Sequence, residues 1–229
     1  MKSKIKVLIA LLLSVLGLSL IFISDIQNFL VERSNKELQV SNYDFKELKV
    51  NSEKEASYDF SQVRVISANE VIRSQVVGLD LEPIGGISIP ELELNLPILK
   101  GTTNTNLLYG AATMKEQVMG EGNYSLASHN VFSGSGAEDM LFSPIVRAKE
   151  GMTIYITDKE YVYSYRIESV FVVDPTAVHV IEDSEGDKII TLVTCTDPQA
   201  LQRTIVRGTL VDKVLWNDSS LDVISSFSS

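Results

Sequence analysis

The sequence is short of several things at once: it has one cysteine, two histidines, one tryptophan and six prolines in 229 residues. One cysteine, at position 195, excludes an intramolecular disulfide and leaves no N-terminal Cys to carry a lipid. Any membrane attachment is therefore expected to be made by the polypeptide itself. Basic residues are also few, with 20 Lys and Arg against 30 Asp and Glu and a formal net charge of -10. Phosphate binding needs clustered Lys and Arg, so a nucleic-acid partner is set aside. Internal repeats and low-complexity tracts do not stand out. What remains is a chain with 45% hydrophobic residues, enough for one packed domain with appendages.

The one long apolar run is at the N-terminus, from Val7 to Ser24, behind Lys2, Lys4 and Lys6. Its length suits a single membrane-spanning helix, and the three lysines place the short N-terminal end in the cytoplasm. A cleaved signal peptide is the competing reading. Its nearest small-residue site, Gly17-Leu18-Ser19, lies inside the apolar run with Leu20 to Ile23 still to come, which favours an uncleaved anchor. The expected division is residues 1–24 as cytoplasmic tip and transmembrane anchor, 25–57 as an extracellular stalk, partly helical, and 58–229 as the folded domain. A free thiol on the outer side of a membrane is then either buried and inert or kept for its reactivity.

Beyond the stalk, Ser67 or Asn69 can cap a short helix through Val71, Ile72 and Gln75, with Tyr58 and Phe60 packing nearby. From Val76 the pattern changes to strands. Leu92, Leu94, Leu96 and Ile98 alternate with Glu93, Asn95 and Pro97, the period of a strand with one buried face; Pro97 marks an edge or a bend. Runs rich in Val, Ile, Thr and Tyr predict further strands at 124–127, 152–157, 161–173, 188–195 and 203–214. Helical turns are expected around Thr113 to Met119 and after Ala137. The fold class expected from these runs is mostly β, a closed or nearly closed barrel with short connecting helices.

The β-branched run Ile189-Ile190-Thr191-Leu192-Val193-Thr194 ends in Cys195. Such a Cys reads equally as a small core hydrophobe or as a rigidly held nucleophile. His129, at the end of Ser125-Leu126-Ala127-Ser128 and before a Gly/Ser-rich loop, has the chemistry of a general acid and base, although a lone His can simply cap a loop. His179 lies near Glu182, Asp183, Glu185 and Asp187, surroundings that suit a solvated side chain. Arg203 begins the strand after Cys195. In a hairpin centred on Gln199 it lies opposite Cys195, with Cβ atoms roughly 5 Å apart. A guanidinium there can bind an oxyanion and favour a thiolate. Arg207 then faces Thr191, about 13 Å further along, and is expected to be nearly silent.

Thr191-Leu192-Val193-Thr194-Cys195 resembles the TLxTC signature of the sortase family, with His129 and Arg203 in that family's order around the Cys. Ile87-Ser88-Ile89-Pro90 through Leu99 is similar to the strand pair that opens the sortase barrel. The resemblance covers roughly Tyr58 to Trp216, and Thr196-Asp197 looks most like the housekeeping class A branch of streptococci and lactobacilli. It implies a closed eight-stranded sortase-type β-barrel behind an N-terminal transmembrane helix, on the outer face of a Gram-positive cell. It also implies a cysteine transpeptidase that cleaves an LPXTG-type sorting signal between Thr and Gly through a thioester on Cys195. The protein is then passed to the amine of a cell-wall precursor, lipid II.

By the same resemblance His129, Cys195 and Arg203 are catalytic, and Ala127, Ser128 and Thr194 contact substrate. The partners implied are LPXTG-bearing surface proteins, the precursor amine and the cell membrane. No cofactor and no metal are expected. The calcium that some class A sortases hold is disfavoured, because Ser88, Glu91 and Asn95 offer one carboxylate among three. The acidic run from Glu182 to Asp187 then reads as a solvated turn. The alternatives are a pilus-type sortase, whose DPW or DPF lid motif does not occur between Asp25 and Val76, and a non-catalytic, membrane-tethered peptide-binding barrel with Cys195 in its core. A papain-like hydrolase is disfavoured by the order of His and Cys.

Overall fold

A computed structural model describes residues 2–60 and 81–228. The short helix expected from Ser67 or Asn69 to Gln75 lies outside the described residues. Helix α1 (Lys2–Ile21) contains an 18-residue stretch, Lys4–Ile21, that is long and apolar enough to cross a membrane. Its leucines, among them Leu8, Leu12 and Leu16, are exposed and touch no core. That pattern fits membrane anchoring, since a helix apolar all round needs an apolar surrounding.

Eight strands close into a barrel in the order β1-β2-β3-β4-β7-β8-β6-β5. They are β1 (Pro83–Ile89), β2 (Leu94–Leu99), β3 (Ala111–Thr113), β4 (Gly122–Ala127), β5 (Thr153–Thr157), β6 (Tyr161–Val173), β7 (Lys188–Cys195) and β8 (Arg203–Leu215). Ile87, Leu96, Ile98, Leu126, Ile154, Ile190, Leu192 and Val206 fill the interior from alternate positions of their strands. The alternating run of Leu92 to Ile98 is cut by a left-handed residue, Glu93 (φ 52°), so that Leu92 ends a 3-10 turn (Pro90–Leu92) and β2 starts at Leu94. Pro97 falls just ahead of Ile98 and Leu99, the two residues of β2 that pair with β3. The helical turn expected at Thr113 to Met119 is instead the end of β3 followed by bends, and a helix, α4 (Asn104–Tyr109), precedes it. Thr103 caps α4 by accepting from the Asn106 N–H.

The segment whose mixed charge reads as a stalk is wrapped on the barrel. Helix α2 (Ile23–Glu37) buries Asn28, Val31, Ser34 and Asn35, a helical stripe of mostly polar residues. Helix α3 (Phe45–Ser52) starts in a capping box, with Asp44 accepting from the Glu47 N–H and Glu47 from the Asp44 N–H. Between them Val40 is fully buried with Leu48, Val162 and Phe227, the last from the turn that follows the short helix α5 (Leu221–Ser225). A Cβ on Gly86 would stand 2.6 Å from a Val40 methyl carbon, so β1 admits Val40 only because residue 86 has no side chain. Burial of such apolar side chains, each worth about 1.5–3 kcal/mol, ties the segment down despite its charge.

Candidate active site

Strands β4, β7 and β8 lie side by side, and their outward residues form the floor of a groove of about 770 Å³. Ala127, Val193 and Ile205 line it, packed in a cluster separate from the barrel interior. By the strand period, Cys195 and Arg203 continue the same face as Val193 and Ile205. His129, Cys195 and Arg203 all line this groove, and His179, on the exposed 3-10 turn Val178–Ile181, does not. The walls come from Leu107 and Leu108 of α4, from Val178 and Val180, and, beyond His129, from Asn28 and Val31 of α2.

The β7–β8 pairing has the expected register: Cys195 faces Arg203 and Thr191 faces Arg207. The turn between them is built on Asp197. Its Oδ1 accepts from the N–H groups of Gln199 and Leu201, and its Oδ2 from that of Gln202. Ala200 sits at φ 56°, and its carbonyl accepts a 2.8 Å hydrogen bond from Arg203 Nη1. The guanidinium is thereby tied to its own turn beside the thiol. Burial pushes the Cys195 thiol above its ordinary value; Arg203 pulls it back and Asp197 adds to the rise. Attack by a thiol raised in this way calls for a base to take its proton.

Strands β4 and β7 run parallel, with Ala127 beside Val193, so His129 and Cys195 each lie two residues past a paired position. Ala127 forms part of the floor. The hydroxyls of the other two expected substrate contacts are engaged within the chain. Ser128 Oγ donates to the carbonyls of Leu107 (3.1 Å) and Gly110 (2.7 Å), and Thr194 Oγ1 to that of Ser128 (2.9 Å). Both residues are almost fully buried, so they brace the strand ends beneath the groove. Asn130 extends that bracing, its Nδ2 donating to the Cys195 carbonyl at 2.8 Å. Neither Asn130 nor Asp197 is given a structural role by the sequence alone. An Asx residue at a strand exit and an Asp before Pro are the turn signals that mark them.

The β6–β7 connection (174–187) closes the far wall. Asn123 Nδ2 donates to the carbonyls of Val180 (2.9 Å) and Glu182 (3.1 Å), and Arg207 Nη2 to that of Val180 (2.7 Å). Thr191 Oγ1 fixes the Asn123 side chain from below at 2.7 Å. Asp183 accepts from the Asn123 N–H at 2.7 Å and makes a 2.6 Å ion pair with Lys115. The backbone N–H and then Lys115 hold its carboxyl below the usual carboxylate value. Gly122, at φ 54°, leaves room for this, since a Cβ there would meet Asp183 Oδ1 at 2.5 Å. The acidic run is solvent-exposed as expected, yet it is clamped at Asp183, and Arg207 also holds the loop through the Val180 carbonyl.

Comparison with known proteins gives the same architecture and chemistry. A family model for the sortase domain matches residues 87–211. The chain is 44% identical to the sortase A of Streptococcus agalactiae over 96% of its own length and 90% of that protein's. It is 38% identical to the sortase A of Listeria monocytogenes over 90% of its own length and 91% of that protein's. The crystal structure of Listeria monocytogenes sortase A superposes with a TM-score of 0.58 over 64% of this chain and 98% of that one. These named relatives favour the class A branch over the pilus-type one. The chain belongs to the sortase family: it is a cysteine transpeptidase acting on proteins that carry a cell-wall sorting signal.

Proposed function

We propose that Cys195 is the nucleophile, His129 the general acid and base, and Arg203 the oxyanion and substrate contact, acting on an LPXTG-type signal. The Cys195 proton passes to His129 as sulfur attacks the Thr carbonyl carbon. Arg203 faces the oxygen that gains the negative charge. Collapse of the tetrahedral intermediate breaks the Thr-Gly bond, His129 protonates the leaving amine, and a thioester remains on Cys195. An incoming amine of the lipid-linked cell-wall precursor, deprotonated by His129, then attacks the thioester and frees the thiol. Ala127 serves as the apolar floor for the signal, with Ser128 and Thr194 supporting it. The observation that carries this reading is the meeting of His129, Cys195 and Arg203 in one groove at the ends of three adjacent strands.

In this reading residues 1–24 cross the membrane with Lys2, Lys4 and Lys6 inside, residues 25–57 link anchor to barrel, and residues 58–229 work outside the cell. Each step is proton transfer or nucleophilic attack, so the reaction proceeds without metal or organic cofactor. Support for calcium independence comes from Asp183, whose carboxylate already pairs with Lys115. The test is mass spectrometry of the full chain in detergent, incubated with an LPXTG peptide and a small amine. Expected products are the Thr-amine conjugate and, before amine is added, a thioester adduct on Cys195. Cys195→Ala should yield neither while remaining folded, and turnover by that variant would overturn the assignment.

A further inference from the structure

We infer that Asn130 is a positioning residue for the transpeptidation reaction, its side-chain amide replacing the backbone rung that would otherwise hold His129 beside Cys195. Strands β4 and β7 are parallel, and past their last paired residues the Ser128 N–H still reaches the Val193 carbonyl at 3.3 Å. In a parallel ladder the N–H groups of one strand reach the same neighbour at every second residue. The next rung would therefore join the Asn130 N–H to the Cys195 carbonyl. The backbone cannot make it, because the chain has already turned to a new partner. Asn130 bridges Leu141, the Phe142 N–H binds the His129 carbonyl, and the Val131 N–H binds Ser143 Oγ. Asn130 Nδ2 donates to the Cys195 carbonyl at 2.8 Å in its place.

The other side of β7 shows why this bond matters. Thr196 N–H pairs with the Gln202 carbonyl, so even-numbered residues of the strand end face β8 and the Cys195 carbonyl faces β4. Asn130 is thus the β4-side restraint on the peptide that follows the nucleophile. It fixes where the Cys195 Cα–Cβ bond points relative to the neighbouring His129. Losing it would leave the groove floor intact, since Ala127, Val193 and Ile205 are packed independently.

The inference rests on the roles proposed for Cys195 and His129, and the experiment separates the two. The full chain would be assayed in detergent for kcat and KM with an LPXTG peptide, as Asn130→Leu, Asn130→Gln and Asn130→Asp, beside Cys195→Ala. Asn130→Leu keeps the bulk without a donor and should lower kcat on the order of tenfold, the scale of a misplacement well under 1 Å. Its KM should stay within about twofold, since the apolar floor of the groove, Ala127, Val193 and Ile205, is unchanged by the substitution. Asn130→Gln retains an amide donor and should recover much of the rate. Asn130→Asp, equal in shape but with a carboxylate that repels the Cys195 carbonyl, should be at least as slow as Leu and serves if the Leu variant does not fold. Unchanged kcat in both Leu and Asp variants overturns the inference, as does a rise in KM that accounts for the loss, or a Gln variant as slow as Leu. An inactive Cys195→Ala beside a fully active Asn130→Leu would sink this inference alone.

Discussion

The groove is closed by two connections of opposite character, the β7–β8 turn and the β6–β7 loop. The turn spans the few residues between Cys195 and Arg203, and one carboxylate, that of Asp197, satisfies three of its backbone N–H groups. The loop runs from Asp174 to Asp187; Asp174 and Asp187 close small turns at its two ends, but its middle is tied to the barrel from outside, by Asn123, Lys115 and Arg207. A turn organised by its own residues keeps its geometry whether or not a ligand is present. A loop organised by side chains reaching from neighbouring strands can shift as a unit when one of those contacts yields. Cys195 and Arg203, two of the three proposed reacting groups, flank the first, and Val178 and Val180 of the apolar wall lie on the second, so these two sides of the groove are held by separate networks.

Breaking the turn should have the larger effect. Arg203→Ala removes the guanidinium opposite Cys195 and should lower kcat by about a hundredfold or more, as loss of an oxyanion donor does. Arg203→Lys should recover only part, since an ammonium lacks the planar fork. The same Ala change removes the charge that pulls the thiol down, while burial and Asp197 keep pushing it up. The pH dependence of iodoacetamide alkylation in the variant should therefore move to higher pH. A shift to lower pH, or near-normal kcat, would mean that Arg203 is not electrostatically coupled to the thiol.

Loosening the loop should have a moderate effect of a different kind. Arg207→Ala takes away the hydrogen bond to the Val180 carbonyl and the cation packed over the Phe171 ring. A hydrogen bond from a charged group contributes about 1.5–3 kcal/mol, but Asn123 still holds the same carbonyl. A rise of several-fold in KM for the LPXTG peptide, with kcat changed less than twofold, is expected from steady-state kinetics. A fall in kcat at constant KM would show that the loop governs the chemical step as well, and the two connections would no longer be distinct.

The two connections also differ in how far the sequence reveals them. A hairpin is local, so the spacing of Cys195 and Arg203 about Gln199 was enough to set the facing pair. The strands at 161–173 and 188–195 were likewise legible from their β-branched and aromatic runs. The clamps on the loop were not, because Arg207, Asn123 and Lys115 reach it across the fold, and no local spacing encodes such contacts. The N-terminal segment failed to show itself for a related reason. Its charges suggest a solvated stalk, whereas its burial depends on Val31, Val40 and Leu48 each finding a place on the barrel, including the bare backbone of Gly86. Only its partly helical character was readable there. Ser128 and Thr194 lie beside the groove, and only the three-dimensional contacts reveal that their hydroxyls are spent on neighbouring carbonyls.

The smallest expected effect is that of calcium, and it bears on the loop alone. A hard cation bridging this loop to the barrel would need several anionic oxygens at 2.3–2.6 Å, with each ligand free to turn toward it. Of the carboxylates considered, Asp183 is taken by the Asn123 N–H and Lys115, while Glu91 lies in the 3-10 turn ahead of β2 and accepts from the Thr153 N–H. The Lys115 ammonium supplies a fixed positive charge where a cation would otherwise be wanted, and it neutralises the acidic run at the point where the run touches the barrel. Adding millimolar calcium, or removing divalent cations with EGTA, should therefore change the rate of LPXTG cleavage less than twofold in the native protein. Lys115→Ala sharpens the comparison, because it frees Asp183 and should slow cleavage by raising KM, as Arg207→Ala does. Stimulation of the native enzyme by calcium of several-fold would mean that the loop is clamped by a metal, and that the Lys115–Asp183 pair is only its resting substitute.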